Sequence, residues 1–546
     1  MNVINDPWMF VEYLDGTKKQ ISVRQAFIDA EKIKHLDAPV FHGIKTTIYD
    51  LSTIRLLSII LSATYYKPEN NFKAKKEYFF KDMFEKGWKL EDILAYLDNW
   101  EYKFNLEDTQ YPFLQYATLE ETPNEDSSYI SKISPIAPGM ANKFFGPIRS
   151  NGTEEENGDC FISLFNLSMD ELVYVLLYNA TLNSSCMAAR YPHKSLDANS
   201  SVFVLPVGKN LRETIIYNCL PLTKSFRPDE EDEDKPFDRP IWELNGKDDI
   251  EKYKKYEDMY NNVLLCSILP TIPMKAFFDD GEVTNIALAG GQYKDAFFTP
   301  DEEKALTSGF LQANPWVISN METKKDGTIA YSVSGFKDGV KLISLCISMT
   351  STLPDKFQCN IVRPELQENH DAQCIVYFRK FTDEKKTKMQ QFGTTKVDQD
   401  VFDTLYEENK HKDAEIFETA YTTIYNQFKV FTNKLRLALQ NADAKRLYDS
   451  KYHWDPQDQF LEHFENKMTN YFLNTFCTSL GDDDCLNNAV NYMCDTAKEH
   501  LAKFFNEFCL NSRFVMDFAK EKQISVATIE KARRNALPQP EEAVVE

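Results

Sequence analysis

The stretch Ile416-Phe-Glu-Thr-Ala-Tyr-Thr-Thr-Ile-Tyr-Asn-Gln-Phe-Lys-Val-Phe431 decides the fold class of the C-terminal part of this 546-residue chain. Its apolar residues recur every three or four positions, the spacing of one face of an α-helix. Two similar stripes follow, and a shorter fourth begins near Ser525 and stops before Pro538. Long helices with short connections predict a four-helix bundle over residues 398–546. The three long stripes are Ile416, Ala420, Ile424, Phe428, Phe431, Leu435 and Leu439; Leu461, Phe464, Met468, Tyr471 and Thr475; and Leu486, Ala489, Met493, Ala497, Leu501, Phe504 and Phe508.

The ends of these helices carry further local signals. The run Asp482-Asp-Asp484 stands just before the third stripe, where a cap and first-turn carboxylates stabilise a helix N-terminus. Phe514 to Ala519 predicts one additional helical turn, which could belong to the fourth helix or stand alone.

Residues 1–397 change periodicity often, which is typical of a mixed domain. Asp15-Gly16 lies between two apolar runs and predicts a β-hairpin. Asp50 to Tyr66 and Lys89 to Trp100 have helical spacing, whereas Ser201 to Val207 and Thr328 to Phe336 alternate as strands do. We therefore predict an α+β fold, with a large mixed N-terminal domain over 1–397 followed by the C-terminal bundle.

Composition limits the classes of function. The chain has 84 Asp and Glu against 62 Lys and Arg, a formal net charge of −22, so it is not a free-standing basic nucleic-acid binder. No signal peptide or run long enough to span a membrane is evident, so we expect a cytoplasmic protein with no membrane partner. The 11 cysteines contain no C-x-x-C pair, which predicts buried thiols rather than disulfides or a zinc site.

The amino-acid sequence contains no complete catalytic motif of a familiar kind. Gly208-Lys209 and Gly246-Lys247 lack the earlier glycine and the following Ser or Thr of a phosphate-binding loop. The spacing Glu-x-x-His occurs once, at Glu408 to His411, where a bundle di-metal site needs it twice. We therefore expect no enzyme; the alternatives are a cytosolic enzyme with an unrecognised active site and a structural adaptor of a protein complex.

Two groups of residues have side chains of the kind that bind nucleic acid. Asn142-Lys-Phe-Phe-Gly-Pro-Ile-Arg149 places aromatic residues beside basic ones at the start of a polar loop that runs from Gly146 to Gly158. Positive groups neutralise phosphates, and exposed aromatic rings stack on unpaired bases. An ordinary surface cluster and a core Phe pair remain the simpler interpretation. The second group, an excess of positive side chains, is Arg190, His193, Lys194, Lys209 and Arg212.

The order of several short motifs resembles the large subunit (CasA type) of the CRISPR type I-E Cascade surveillance complex. The resemblance is collinear over nearly the whole chain, although no single motif is specific. The motifs are Asp6-Pro7-Trp8 with Val11, Leu14-Asp15-Gly16, Ser22-Val-Arg-Gln-Ala-Phe27, Tyr111-Pro-Phe-Leu-Gln115, Pro206-Val-Gly-Lys-Asn-Leu-Arg-Glu-Thr-Ile215, Arg239-Pro-Ile-Trp-Glu243 and Asn314-Pro-Trp316.

This resemblance implies a non-catalytic subunit of an RNA-guided complex. Such a subunit recognises the protospacer-adjacent motif in double-stranded target DNA, helps open the duplex for R-loop formation and supports nuclease recruitment, while guide pairing reads the target sequence. The implied partners are the backbone, small and 5′-handle-binding Cascade subunits, the CRISPR guide RNA, the target duplex, and a helicase-nuclease or nuclease module. The cysteine pairs that bind zinc in some family members are absent here, so the resemblance implies no metal and no other cofactor.

Site residues follow from the same resemblance. The loop that anchors the subunit near the 5′ handle of the guide RNA corresponds to Asn142, Lys143, Phe145, Gly146 and Arg149. The family's glycine-rich loop, which approaches the minor groove, is replaced here by Asn183-Ser184-Ser185, whose side chains can hydrogen-bond minor-groove acceptors.

A wedge hairpin and a lysine complete the implied site. Gln367, with Glu368 and Asn369 beside it, corresponds to the residue that splits the duplex. The lysine that touches the motif corresponds to either Lys294 or Lys304.

Overall fold

The computed structural model combines helices with small antiparallel sheets, which confirms the mixed α+β class. The described residues form two compact units, one ending at Gln399 and the other beginning at Asp400. The domains predicted over 1–397 and 398–546 stay predictions. The described residues are 1–41, 44–45, 48–65, 83, 85–120, 127–130, 167–182, 195–197, 202–219, 236–289, 293–317, 319–323, 329–332, 357–358, 373–381, 389–441, 456–506 and 515–537.

The first unit begins with the predicted hairpin. β1 and β2 pair antiparallel, and Gly16 at their turn has φ +84°, a conformation that favours glycine. Ser22 caps the short helix that follows, because its side chain accepts a hydrogen bond from the Gln25 amide. The strands and helices up to the first long helix are β1 (Met9–Tyr13), β2 (Lys18–Ile21), α1 (Val23–Ile28), β3 (Ile33–Leu36), β4 (Val40–Phe41), β5 (Ile44–Lys45) and α2 (Ile48–Tyr65).

Among the described residues, the rest of this unit contains three three-stranded sheets and several helices. Their orders are β6-β9-β8, β14-β13-β7 and β11-β10-β12, all with antiparallel neighbours. The elements are α3 (Leu90–Trp100), β6 (Ser127–Ile130), α4 (Met169–Thr181), β7 (Val202–Val207), α5 (Leu211–Tyr217), α6 (Lys247–Lys254), α7 (Val263–Cys266), β8 (Met274–Asp279), β9 (Glu282–Ala289), α8 (Pro300–Ala313), β10 (Ser319–Thr323), β11 (Ile329–Ser332), β12 (Phe357–Gln358), β13 (Gln373–Phe381) and β14 (Met389–Asp398).

The second unit is helical, with an aromatic core. The Phe428 ring lies 4.9 Å from both the Phe460 and the Phe464 ring, and each helix that carries a predicted stripe contacts at least two of the other three. These contacts fit the predicted four-helix bundle, which itself stays a prediction. The helices are α9 (Gln399–Tyr406), α10 (Glu408–Asn441), α11 (Pro456–Tyr471), α12 (Cys477–Ser479), α13 (Cys485–Phe504) and α14 (Val515–Ala536), with a π-helical turn over Phe472–Phe476.

Several details of this unit differ from the sequence prediction. Phe464 and Met468 lie on the buried face of α11 as predicted, but Phe460 is buried there rather than Leu461. Thr475 is exposed in the π-helical turn. Ile416 is also exposed. Asp484 occupies the N-cap position of α13 but makes no capping hydrogen bond, and α13 has no acidic residue in its first turn.

Residues from the uncertain turn belong to the fourth helix, since α14 begins at Val515. Six cysteines among the described residues have buried side chains, as the spacing predicted: Cys219, Cys266, Cys374, Cys477, Cys485 and Cys494. Within the part of the chain that the structure describes, no helix is long and apolar enough to cross a membrane.

Candidate nucleic-acid interface

A cleft of about 380 Å³ opens in the first unit between two stretches that carry the family resemblance. One wall is formed by residues of Tyr111–Thr118, and the other by Ile241, Trp242 and the segment up to Lys247. Two motifs that lie far apart in the sequence therefore meet at one surface.

The Tyr111-Pro-Phe-Leu-Gln115 motif is held in place by its own side chains. The Gln115 amide donates to the Leu106 carbonyl at 3.0 Å, while its oxygen accepts from the Ala276 amide at 2.7 Å. Leu114 adopts φ +52°, a strained conformation for a residue with a side chain. Gln115 thus ties this wall of the cleft to β8, and both of its amide atoms are satisfied although it is buried.

Lys103 joins the two walls, and sequence reasoning missed it. Its ammonium donates to the Leu244 carbonyl at 3.0 Å and to the Asn245 side-chain oxygen at 3.2 Å, and it lies 3.4 Å from the centre of the Tyr111 ring. Burial lowers its pKa, although Asp249 and Asp108 act in the opposite direction. A lysine so fully engaged, with only 4 % of its surface exposed, stabilises the cleft rather than binding phosphate.

The two candidate lysines have different surroundings. Lys294 is exposed at the margin of the cleft, where its carbonyl accepts a hydrogen bond of 2.6 Å from the ammonium of Lys247, a cleft residue. Lys304 is exposed on α8, directly after the acidic first turn Asp301-Glu302-Glu303. The Lys247 ammonium therefore lies beside the Lys294 backbone, with the carboxylate residue Asp295 next along the chain, whereas three acidic residues directly precede Lys304.

The strand-to-helix motif at Gly208 is structural. The Lys209 amide donates to the Glu213 carboxylate at 3.0 Å, and the Lys209 ammonium forms an ion pair with the same side chain at 3.0 Å. A Cβ on Gly208 would lie 2.3 Å from the Glu213 Cβ, which only glycine avoids. Arg212 donates to the Met83 carbonyl at 2.9 Å. Lys209 and Arg212 therefore make contacts within the fold. These contacts argue against a nucleic-acid role for these two members of the predicted basic cluster.

Most of the predicted site residues lie outside the described residues. These are Asn142, Lys143, Phe145, Gly146 and Arg149 of the anchoring loop; Asn183, Ser184 and Ser185; and Gln367, Glu368 and Asn369 of the wedge. Arg190, His193 and Lys194 lie outside them as well. Among the residues that the structure does describe, no group of three or more His, Cys, Asp or Glu side chains could hold a metal ion.

The Asn314-Pro-Trp316 motif contributes to a buried polar network that composition alone did not indicate. The Asn314 amide donates to the Asp197 carboxylate, which also accepts from the Arg55 guanidinium. The Trp316 indole N–H donates to the Asn218 side chain at 3.0 Å. The network connects α2, through Arg55, and the residue after the end of α8, Asn314, with Asp197.

The first unit matches a family of CRISPR-associated proteins over most of its length. A family model described as CRISPR-associated protein Cse1 matches residues 2–296, more than half of the chain. The chain belongs to this family, the CasA-type large-subunit family that its motifs resemble.

Solved structures share the fold over almost the entire chain. CasA (Cse1) of Thermus thermophilus has 15 % identity and a TM-score of 0.63, with 98 % of this chain and 99 % of that chain covered. Cse1 of Thermobifida fusca has 16 % identity and a TM-score of 0.62 over 98 % and 99 %. A chain from a structure titled CRISPR RNA-guided surveillance complex has 13 % identity and a TM-score of 0.61 over 97 % and 99 %. No curated protein sequence matches this chain significantly.

Proposed function

We propose that this chain is the non-catalytic large subunit of a type I-E Cascade complex and recognises the protospacer-adjacent motif in double-stranded DNA. Membership of the Cse1 family carries the proposal. The fold is shared with a chain of an RNA-guided surveillance complex, over nearly the full length of both. In that role the chain helps open the duplex for R-loop formation and supports recruitment of a helicase-nuclease or nuclease module in the cytoplasm.

Charge supports a division of labour within such a complex. A chain of net charge −22 that makes only a few groove contacts should bind free DNA weakly, because phosphate contacts supply most of the affinity and fall off with salt. At physiological ionic strength, however, screening over about 8 Å lets a small group of ammonium groups act locally. The other subunits and the guide RNA then supply the bulk of the binding free energy.

The roles of individual residues follow the family pattern. Asn183, Ser184 and Ser185 approach the motif in the minor groove, and Gln367, with Glu368 and Asn369, acts as the duplex wedge. Asn142, Lys143, Phe145, Gly146 and Arg149 anchor the subunit near the guide RNA. Residues 398–546 form the four-helix bundle, and 1–397 form the DNA-recognition domain.

Of the two candidate lysines, we assign the motif contact to Lys294. Its neighbour Lys247 raises the local positive potential, whereas Lys304 follows three carboxylates. Lys294→Ala should weaken binding of a motif-bearing duplex by about tenfold, the effect of losing one charged contact worth about 1.4 kcal/mol. The matched control, Lys304→Ala, removes an exposed lysine of the same unit and should leave binding unchanged.

The test uses Cascade assembled from this chain, its partner subunits and a guide RNA. Affinities for duplexes with and without the motif are measured by gel shift at fixed salt. Equal effects of the two lysine variants would contradict the assignment of Lys294. Turnover by the isolated chain, lost on mutation of a carboxylate cluster, would favour the enzyme alternative; a complex whose DNA binding does not depend on this chain would favour the adaptor.

A further inference from the structure

Three aromatic side chains, Trp100, Tyr102 and Tyr111, form a continuous strip on the surface of the first unit. The Trp100 and Tyr102 ring centres lie 6.3 Å apart, with their planes at 26°. Tyr102 then meets Tyr111 edge-on at the same distance. Tyr111 lines the cleft of about 380 Å³, so this aromatic strip leads to the opening of the cleft.

The local backbone turns the middle ring of the strip outward. Directly after α3, residues Glu101–Phe104 form a 3₁₀ turn, in which successive side chains point about 120° apart. Phe104 is fully buried and packs on Phe113 with ring centres 4.9 Å apart, whereas Tyr102 is 53 % exposed. Single exposed apolar side chains are ordinary, but adjacent aromatic rings at a surface are typical of a binding interface.

The strip already accepts one cation from inside the protein. The Lys103 ammonium lies 3.4 Å from the centre of the Tyr111 ring and 5.6 Å from that of Tyr102. A cation is attracted to the negative face of an aromatic ring at such distances. Because Lys103 is buried and more than half of the Tyr102 surface is exposed, the Tyr102 ring keeps area that a second cation can reach from solvent.

The charge around the strip also favours a cation. Residues 98–111 contain four acidic residues and one basic residue, the buried Lys103. Asp98 and Glu101 share one guanidinium, that of Arg24, at 2.7 Å and 3.7 Å, and both carboxylates remain largely exposed. Such a surface attracts a positive group and repels the phosphates of a nucleic acid. The four acidic residues are Asp98, Glu101, Glu107 and Asp108.

Arginine is the cation that fits both features. Its planar guanidinium stacks on an aromatic ring and can hydrogen-bond a carboxylate through two N–H groups, whereas the lysine ammonium is a strongly hydrated point charge. Arginine, tyrosine and tryptophan also supply most of the binding energy in protein interfaces. We propose that the aromatic strip docks an arginine-bearing segment of a partner protein. This proposal does not depend on the DNA-recognition role of the chain.

The test measures the affinity of the full-length chain for two fluorescently labelled peptides by anisotropy at fixed salt. Both peptides have blocked ends and alternate glycine with a basic residue, which is arginine in one and lysine in the other. Their equal charge cancels the general attraction to an acidic protein. The wild type should bind the arginine peptide about threefold more tightly, because the guanidinium stacks on the exposed Tyr102 ring.

Three variants separate the ring from the charge. Tyr102→Leu keeps apolar bulk without the ring and should reduce the ratio of the two affinities to about one. Tyr102→Phe keeps the ring and should retain the preference for arginine. Glu101→Gln removes one exposed carboxylate and should weaken binding of both peptides by about twofold.

Tyr492→Leu is the matched control. Tyr492 lies on α13 of the second unit, is 37 % exposed and has the Lys467 ammonium 5.9 Å from its ring centre. This variant should keep the full preference for arginine. A wild type that does not distinguish the peptides would overturn the proposal, as would equal losses of preference for Tyr102→Leu and Tyr492→Leu.

A single-stranded thymidine oligonucleotide of about 12 nucleotides tests the opposite kind of ligand, since unpaired bases also stack on aromatic rings. At physiological salt we expect no binding that depends on Tyr102. Oligonucleotide binding by the wild type that is lost in Tyr102→Leu and kept in Tyr492→Leu would assign the strip to nucleic acid and overturn the protein partner.

Discussion

Helix α2 of the first unit and helix α13 of the second show two ways of burying a helix. α2 carries buried polar side chains among its apolar ones: Ser52, Thr53, Arg55, Ser58, Ser62 and Thr64. α13 buries one mainly apolar face, with Ala489, Met493 and Ala497 at its centre, and exposes charged residues on the other.

The difference lies in where the partners of each helix come from. Ser52 and Arg55 pair with residues 129 and 142 positions away in the sequence. The second unit instead packs aromatic rings between helices, as Phe428 does with Phe460 and Phe464. Polar pairs require particular geometry, whereas apolar packing tolerates many arrangements of the right volume. The polar residues of α2 thus hold particular positions in addition to its apolar burial, whereas α13 depends mainly on apolar burial.

The largest expected effect is in the aromatic core. Phe428→Ala removes a fully buried ring from α10 and should lower the free energy of unfolding by about 3–5 kcal/mol, through lost burial and the cavity left behind. Thermal unfolding and peptide-resolved hydrogen exchange over α10 measure it. Val430→Ala, on the same helix but 45 % exposed, should change it by less than about 0.5 kcal/mol. Similar losses for both variants would contradict a dominant contribution of the buried ring to the stability of the helical unit.

The buried ion pair should behave in the opposite way. Arg55→Met alone leaves the Asp197 carboxylate buried without its cation and should cost about 3 kcal/mol. The double variant Arg55→Met, Asp197→Leu should recover part of this loss, to within about 2 kcal/mol of the wild type, because no unpaired charge remains, although the buried Asn314 amide loses its Asp197 acceptor. Denaturant unfolding measures both. A double variant less stable than the single one would mean that the ion pair stabilises the fold more than an apolar pair of similar volume does.

The pH dependence of stability should distinguish the units as well. Burial raises the pKa of the Asp238 carboxyl to about 7, although it accepts the Leu264 and Leu265 amides. The folded chain thus keeps a proton that the unfolded chain releases near its ordinary value of 3.8. The contribution of this group to stability is fully present below that value and is lost as pH rises toward 7, by on the order of 4 kcal/mol.

Asp238→Asn should therefore remove a fall in unfolding temperature between about pH 4 and 7. Asp249→Asn is the control, because its exposed Lys252 partner lowers the pKa of Asp249 and so moves its effect to acid pH. In the second unit, burial lowers the pKa of His500, so its contribution to stability is present above the ordinary histidine value and is lost as pH falls. A wild-type profile unchanged by Asp238→Asn would show that this carboxyl does not titrate there.

The sequence predicted the parts of the fold that depend on local pattern. The stripe through Ala420, Ile424 and Phe428 becomes the buried face of α10, and the Asp15-Gly16 hairpin forms as expected. The burial pattern after Met468 escaped prediction, because the π-helical turn over Phe472–Phe476 changes the helical period and has no reliable sequence signal.

The candidate site residues came only from the family resemblance, and they stay predictions. Lys103 and Arg55 are placed by partners far along the chain, so no spacing rule could have identified them. Two motifs that carry the resemblance, Tyr111 to Gln115 and Arg239 to Glu243, contribute to the two walls of the cleft, but their sequence did not indicate that they meet. Asn314 and Trp316 belong to a third such motif, and their hydrogen-bond network became evident only in three dimensions.

The most direct test of the central claim is to assemble Cascade with and without this chain and to measure binding of a motif-bearing duplex, a motif-free duplex and a single-stranded target. We predict that the complete complex prefers the motif-bearing duplex, and that omitting the chain abolishes this preference while single-stranded binding persists. A complex without this chain that still prefers the motif-bearing duplex would contradict the account.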